Sequence, residues 1–332
     1  MSTYIEGGNM NTGNLINGPV VSNNELPEFT VFTPTYNRAD TLPALYESLR
    51  SQTYQNFEWL IVDGGSDQTF LLVEEWSHVA KFPIRYFQQK TLGLHGAYNE
   101  GALYARGELF LTMHADDTCV PQTLEHFKMY WENISVSERH RYSGIWARCK
   151  DQSGKVIGKS LGVAWLDSSY QEVLFKRGMS AEMFPLVRTD VMREFPFPMI
   201  DGVRFIPEGF IWRAIGAKYK TRFIDEPLRK YHVLDAATIG TGKLTDPAML
   251  QKNGLSIALY GRAILTHDLV WAKYAPLKFL REAAIYVACS LHARTSLIDQ
   301  LRDLPFTGRV IWAMALPFGF AKFLKDRLRT ND

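Results

Sequence analysis

The sequence predicts an α/β protein: a mostly parallel central sheet, flanked by helices, followed by a helical carboxyl-terminal extension. Three observations carry this expectation. Apolar β-rich runs alternate with helical leucine spacing between Phe29 and Met113, the connections are short, and loops rich in Asp, Gly and Asn close the runs. The 332 residues, 46% hydrophobic and 22% charged, suffice for one large unit with an appendage and exclude a disordered or fibrous chain. A net charge of +2 excludes a nucleic-acid-scale positive field over the whole molecule. Cys119, Cys149 and Cys289 are far apart with no CxxC pairing, which argues against a disulfide framework or zinc site and points to a reducing, cytoplasmic compartment.

Residues 1–27 are rich in Asn and Gly and lack a basic start followed by an apolar stretch, so a flexible tail without a signal peptide is expected. Phe29–Thr33 then reads as a strand closed by Pro34, and Leu42, Leu45 and Leu49 mark a helix. Phe57–Val62 is a second strand, ended by Asp63-Gly64-Gly65-Ser66-Asp67, with a helix over Thr69–Val79. A third strand at Ile84–Phe87, a third helix at Gly96–Arg106 and a fourth strand at Leu109–Met113 complete the alternation. In such sheets ligands bind at the carboxyl ends of the strands, where the loops Pro34–Arg38, Asp63–Asp67 and His114–Asp117 all fall. Gly144–Arg148 and Thr221–Asp225 read as further strands, and a helix is expected to start near Pro207. Beyond about Ala236 the pattern is helical, clearest over Ala248–Leu265 and Ala275–Leu291. The apolar stretch Val310–Lys322 is shorter than the roughly 20 residues of a spanning helix, and Pro317 is expected to interrupt it.

Asp116 and Asp117 follow five residues of apolar strand, where adjacent like charges need a cation. Oxygen ligands select Mg²⁺ or Mn²⁺, which would bring a diphosphate to this loop; the competing reading is a cap for the helix expected over Pro121–Tyr130.

An ordered set of segments from Phe29 to His232 resembles the inverting family 2 glycosyltransferases of GT-A fold, which bind a nucleotide-sugar and a divalent metal. Val31-Phe-Thr-Pro-Thr-Tyr-Asn-Arg38 is similar to the family's first strand and nucleoside loop, so Pro34, Tyr36 and Arg38 are candidates for donor binding, with Tyr36 against the base. Ser48–Ser66 resembles the next helix and strand and would bring Asp63 to the uridine or ribose; this chain departs by having Gly64 and a shorter loop before Asp67. Gly93–Leu111 resembles the family's glycine loop and third helix, making His95 and Asn99 candidates for phosphate or ribose contact, although a loop histidine is also an ordinary surface residue. His114-Ala-Asp-Asp117 stands where the family has its metal motif, with His114 in place of the first acid. The resemblance implies Asp117 and Asp116 as metal ligands, Asp116 also facing the donor, and His114 either packing at the strand end or contacting metal or diphosphate.

Phe205-Ile-Pro-Glu-Gly-Phe-Ile-Trp-Arg213 is similar to the segment that places the catalytic base, a role that falls to Glu208. Arg213, Arg229 and Lys230 are candidates for diphosphate contact, each equally suited to structural pairing. Trp146, Trp165 and Trp212 offer platforms for an acceptor sugar or simply core.

The expected organisation is therefore a tail (1–27), a GT-A domain (28–235, with a nucleotide-sugar half at 28–118 and an acceptor half at 119–235) and a helical region (236–332). The expected activity is metal-dependent, inverting transfer, from a UDP-sugar by preference, to a saccharide or lipid-linked saccharide in bacterial surface polysaccharide synthesis. The alternatives are a degenerate transferase acting as a sugar-binding scaffold and a sugar nucleotidyltransferase. The second usually carries a Gly- and Lys-rich phosphate loop, which Thr35–Arg38 does not provide. Basic and aromatic residues near Lys273–Arg281 and Lys322–Arg329 suit either an anionic membrane face or packing on the domain or a second subunit, and no nucleic-acid partner is expected.

Overall fold

The computed structural model describes residues 26–91, 93–179, 181–203, 205–232, 250 and 252–328, together with the backbone of Ile16–Asn17. The strands are β1 (Ile16–Asn17), β2 (Phe29–Thr35), β3 (Phe57–Asp63), β4 (Ile84–Gln88), β5 (Leu109–Thr112), β6 (Thr118–Cys119), β7 (Tyr142–Lys150), β8 (Trp165–Ser168), β9 (Met183–Arg188) and β10 (Lys220–Lys230). They form one sheet in the order β1-β4-β3-β2-β5-β9-β7-β10-β6, with β8 on β10. The helices are α1 (Leu42–Arg50), α2 (Thr69–Val79), α3 (Leu94–Tyr104), α4 (Thr123–Glu132), α5 (Thr189–Glu194), α6 (Gly209–Lys218), α7 (Gly254–His267), α8 (Pro276–His292), α9 (Leu297–Leu301) and α10 (Phe306–Leu328).

The parallel core β4-β3-β2-β5 arises because these strands are apolar on both faces. Val31, Trp59, Ile61 and Leu111 pack to one side, and Phe32, Leu60, Val62 and Phe110 to the other. Helix α3 lies so close to β2 that a Cβ on Gly101 would fall 2.3 Å from the Phe32 ring. Beyond β5 the sheet is mixed: β9 runs antiparallel to both β5 and β7, and β10 parallel to β7. The sequence pattern conceals β9 because Pro185 interrupts it. In the sheet Pro185 pairs only with β7, one residue past the last pair with β5, where the missing N–H breaks no ladder on that side.

Several local expectations shift. The amino-terminal segment expected as tail contains the short strand β1, paired antiparallel with β4; its other residues up to 25 lie outside the described residues. The helix expected from Pro207 begins at Gly209, with Glu208 as its cap residue. The start of the helix expected from Ala248 falls partly outside the described residues, and α7 opens at Gly254. Pro317 does not interrupt α10, which runs through it for 23 residues. No described helix is long and apolar enough to cross a membrane. All three cysteines are free and buried.

Helices α7, α8 and α10 form their own core around Ile264, Phe279, Val287, Trp312 and Ala315, joined to the sheet domain through Phe175. Arg213 of α6 makes a buried ion pair with Asp268, which follows α7, and its guanidinium lies over the rings of Phe175 and Tyr260. The helix that opens at Glu208 is thereby tied to the carboxyl-terminal region.

Candidate active site

A cavity of about 1280 Å³ opens at the carboxyl ends of β2, β3 and β5. From the end of β2 and the loop after it, it is lined by Pro34, Tyr36 and Arg38; from the loop after β5 by His114 and Asp116; and from the head of α6 by Glu208. Each strand ends where its apolar run meets a polar loop, so the parallel register delivers all three loops to one edge. Asn37 adopts φ 52° and its Oδ1 accepts the Ser66 amide at 2.8 Å, while Asp67 accepts the Ala39 amide at 2.9 Å. The first two loops are thus clamped together. Tyr36 stands 69% exposed at the rim, suited to a nucleobase face. Tyr36→Ala should raise the KM for donor about tenfold with little change in kcat, in steady-state kinetics at saturating acceptor.

The Glu208 carboxylate faces His114, Oε1 lying 3.5 Å from Nε2, with both side chains about 30% exposed. The Tyr98 hydroxyl lies 3.5 Å from the same nitrogen. Burial disfavours the imidazolium, but the hydrogen bond and charge of Glu208 outweigh it and push His114 up to about 9. Burial likewise acts to raise Glu208, and His114 and Tyr98 outweigh it, holding the carboxyl below its ordinary value. His114, which replaces an acid in the family motif, therefore supplies a positive charge beside the candidate base.

Asp116 and Asp117 diverge. Asp116 lines the cavity, whereas Asp117 is 1% exposed, accepts the His232 amide at 2.9 Å and lies 3.5 Å from Arg229 Nε. Burial raises the Asp117 pKa against the opposing charge of Arg229. Arg229, expected as a diphosphate contact, does line the cavity, but it is committed to Asp117 and, at 2.6 Å, to Glu182.

Four expected donor contacts are placed elsewhere. Asp63 is buried, its two oxygens accepting the Gly65 amide and the Tyr86 hydroxyl, each at 2.8 Å; burial raises its pKa against these bonds. It braces the loop rather than lining the cavity. Asn99 is held in a two-way clamp with the backbone of Phe197, at 2.9 and 2.8 Å. His95 is 1% exposed and packed inside α3, off the cavity wall. Arg213 turns away to Asp268, because a buried guanidinium requires an acid and that acid comes from the carboxyl-terminal region. Of the three tryptophans, Trp146 and Trp212 line the cavity, while Trp165 is not among its lining residues and lies under the Arg222 guanidinium and edge-on to Tyr130.

Gln89 joins the cavity wall without a signal in sequence. A Cβ on Gly64 would meet its Oε1 at 2.6 Å, so Gln89 occupies the space that a longer side chain at position 64 would take. Lys252 and Tyr260, from the carboxyl-terminal helical region, also line the cavity. Among the described residues, no three His, Cys, Asp or Glu side chains converge as a preformed metal cage.

Residues 30–178 match the family model described as Glycosyl transferase family 2. An uncharacterized glycosyltransferase of Rickettsia felis is 25% identical over 256 residues, 74% of this chain; the chain spans only 38% of that relative's length. The crystal structure of S. aureus TarS residues 1–349 in complex with UDP-GlcNAc superposes with a TM-score of 0.58 at 16% identity, over 90% of this chain and 89% of that one. Mannosyltransferase PcManGT from Pyrobaculum calidifontis, in complex with GDP-Man and Mn²⁺, gives 0.51 at 17%, over 91% and 88%. The matched segment, just under half of the chain, supplies β2, β3, β5 and the loops that wall the cavity, and the two structural neighbours share its GT-A fold.

Proposed function

We propose that the protein transfers a sugar from a nucleoside-diphosphate sugar, UDP-linked by preference, to a hydroxyl of a saccharide or lipid-linked saccharide, with inversion at C1. The reading extends to bacterial surface polysaccharide synthesis at the cytoplasmic face of a membrane. The observation that carries it is one cavity lined by two carboxylates, Glu208, which faces His114, and Asp116, together with an exposed Tyr36. Support for a nucleotide-sugar donor comes from the UDP-GlcNAc and GDP-Man complexes of the two structural neighbours.

Glu208 accepts the proton of the acceptor hydroxyl as its oxygen bonds to C1, and the C1–O bond to the diphosphate breaks on the opposite face. The negative charge leaves with the nucleoside diphosphate, toward Arg38 and Lys90 on the cavity wall, while His114 stays paired with Glu208. Tyr36 holds the base, and Trp146 and Trp212 offer apolar faces to a sugar ring.

A divalent ion fits this site. Beyond its ion pair with Arg229, Oδ2 of Asp117, next to Asp116 in the chain, is buried without a hydrogen-bond partner among the described residues, as is His232 Nδ1, and Mg²⁺ or Mn²⁺ uses few protein ligands when phosphate oxygens complete the shell. Asp116 would hold the ion, with Asp117 and His232 behind it; bound there, the metal would neutralise charge on the diphosphate.

Calorimetry with UDP- and GDP-sugars, with and without Mn²⁺, tests the reading. Wild-type protein should bind donor more tightly with Mn²⁺, and Asp116→Asn should lose that increment, about tenfold or more, while keeping metal-free binding. Absence of nucleotide binding in the wild type would replace the enzyme reading with a sugar-binding scaffold.

A further inference from the structure

Helix α10 is amphipathic in an inverted sense. Its inner face, Gly308, Trp312, Ala315, Gly319 and Asp326, is buried against the neighbouring helices. Gly319 permits that contact, since a Cβ there would fall 2.5 Å from Val287. Its outer face repeats at helical spacing through Phe306, Val310, Met314, Phe318, Leu324 and Leu328, exposed by 82, 43, 60, 62, 45 and 71%. A stripe this long is unusual for a helix whose other side already serves a core. The charges decide what it fits. Arg309 and Arg327 border the stripe on one edge and Lys325 on the other, and all three are exposed. The helix's only acid, Asp326, is 2% exposed and points inward, toward Lys322 and His292. Every exposed charge on α10 is therefore positive.

We propose that α10 is a docking face for an anionic phospholipid bilayer, lying in the plane of the interface with Phe306, Met314 and Phe318 among the acyl chains and Arg309, Lys325 and Arg327 at the headgroups. A second copy of the chain fits this surface less well. A two-fold contact would bring the same basic borders together with no exposed acid on the helix to answer them. Residues 1–15, 18–25, 233–249 and 329–332, which lie outside the described residues, contain no long apolar run in sequence. The stacking order is compatible with docking: α6 contacts α7, α7 packs on α8 and α8 on α10, so the lipid-facing side is the outermost layer, beyond the helices that reach the cavity. The inference stands apart from the identity of the donor sugar.

Full-length protein should co-sediment with vesicles of phosphatidylcholine and phosphatidylglycerol but not with phosphatidylcholine alone, and binding should weaken with salt. Met314→Ser/Phe318→Ser should reduce binding at least about tenfold through lost apolar burial. Lys325→Glu/Arg327→Glu, which keeps the apolar face, should abolish the preference for anionic vesicles. Circular dichroism melting establishes that each variant is folded; should the serine variant fail to fold, the charge variant alone decides. Equal binding to both vesicle types, or undiminished binding by the folded variants, overturns the proposal. So does a lipid-free dimer in size-exclusion chromatography that the serine variant dissociates, because the face would then belong to a second copy.

Discussion

Glu208→Gln is expected to lower kcat for sugar transfer by about 10³-fold, the scale of losing a positioned general base. The amide is nearly isosteric and can still hydrogen-bond His114, so donor binding measured by calorimetry should change little. This split between kcat and affinity identifies a group that acts on the acceptor proton rather than on nucleotide recognition. Glu208 lies below the ordinary carboxyl value, because the hydrogen bond and charge of His114, with help from Tyr98, outweigh burial. A depressed carboxyl contributes stability above its unfolded-state value and loses it as pH falls through the folded one. Protonation on the acid side of that lowered value also removes the base, so wild-type activity should be lost there while the rate of the glutamine variant stays flat. Full transfer activity in Glu208→Gln would remove the residue from the reaction.

Arg229→Met is expected to destabilise the protein by about 3–5 kcal/mol, the scale of leaving a buried charge without its partner. Arg229 is 2% exposed, faces Asp117 at 3.5 Å and Glu182 at 2.6 Å, and lies over the rings of Phe184 and Tyr231. Methionine fills much of the volume but leaves the 1% exposed Asp117 facing no cation. Thermal or urea unfolding measures the loss, and Asp117→Asn in the same chain should recover part of it, because the two changes share one interaction. A loss in the double variant equal to the sum of the two single losses would mean that the pair carries no coupling. The alternation that placed three polar loops at one sheet edge also explains why this arginine is needed. An acid delivered there by a buried strand must be neutralised, by the protein when no ligand is bound.

The parallel half of the fold and the Glu208, Asp116 and Tyr36 positions on the cavity were legible in sequence because they depend on local patterns. Examples are the buried runs Phe29–Thr35 and Phe57–Asp63, their loop endings, and a carboxylate at a helix start. Strand β9 was not legible, because Pro185 is tolerated only by virtue of its neighbours' registers. Gln89 could not be read as a site residue either, since its place at the wall follows from the space left at Gly64. Asp63, Asn99 and Arg213 show the reverse case, each side chain being held by a partner away from the cavity lining. Motif position brought each to the right neighbourhood, but side-chain direction depended on distant partners: Tyr86, the Phe197 backbone and Asp268.

By itself the sequence determined the alternation of strands and helices, the carboxylates available at the strand ends, and the family that residues 30–178 match. Tertiary structure alone decided which carboxylate faces the cavity, since Asp116 and Asp117 are adjacent yet point into different surroundings. It also decided that His114 carries charge, through a glutamate 94 positions away, and that the apolar side of the last helix faces outward. The physical reason is common to all three. Periodicity and composition act over a few residues, whereas burial and charge pairing are settled by whichever groups the folded chain brings within a few ångströms.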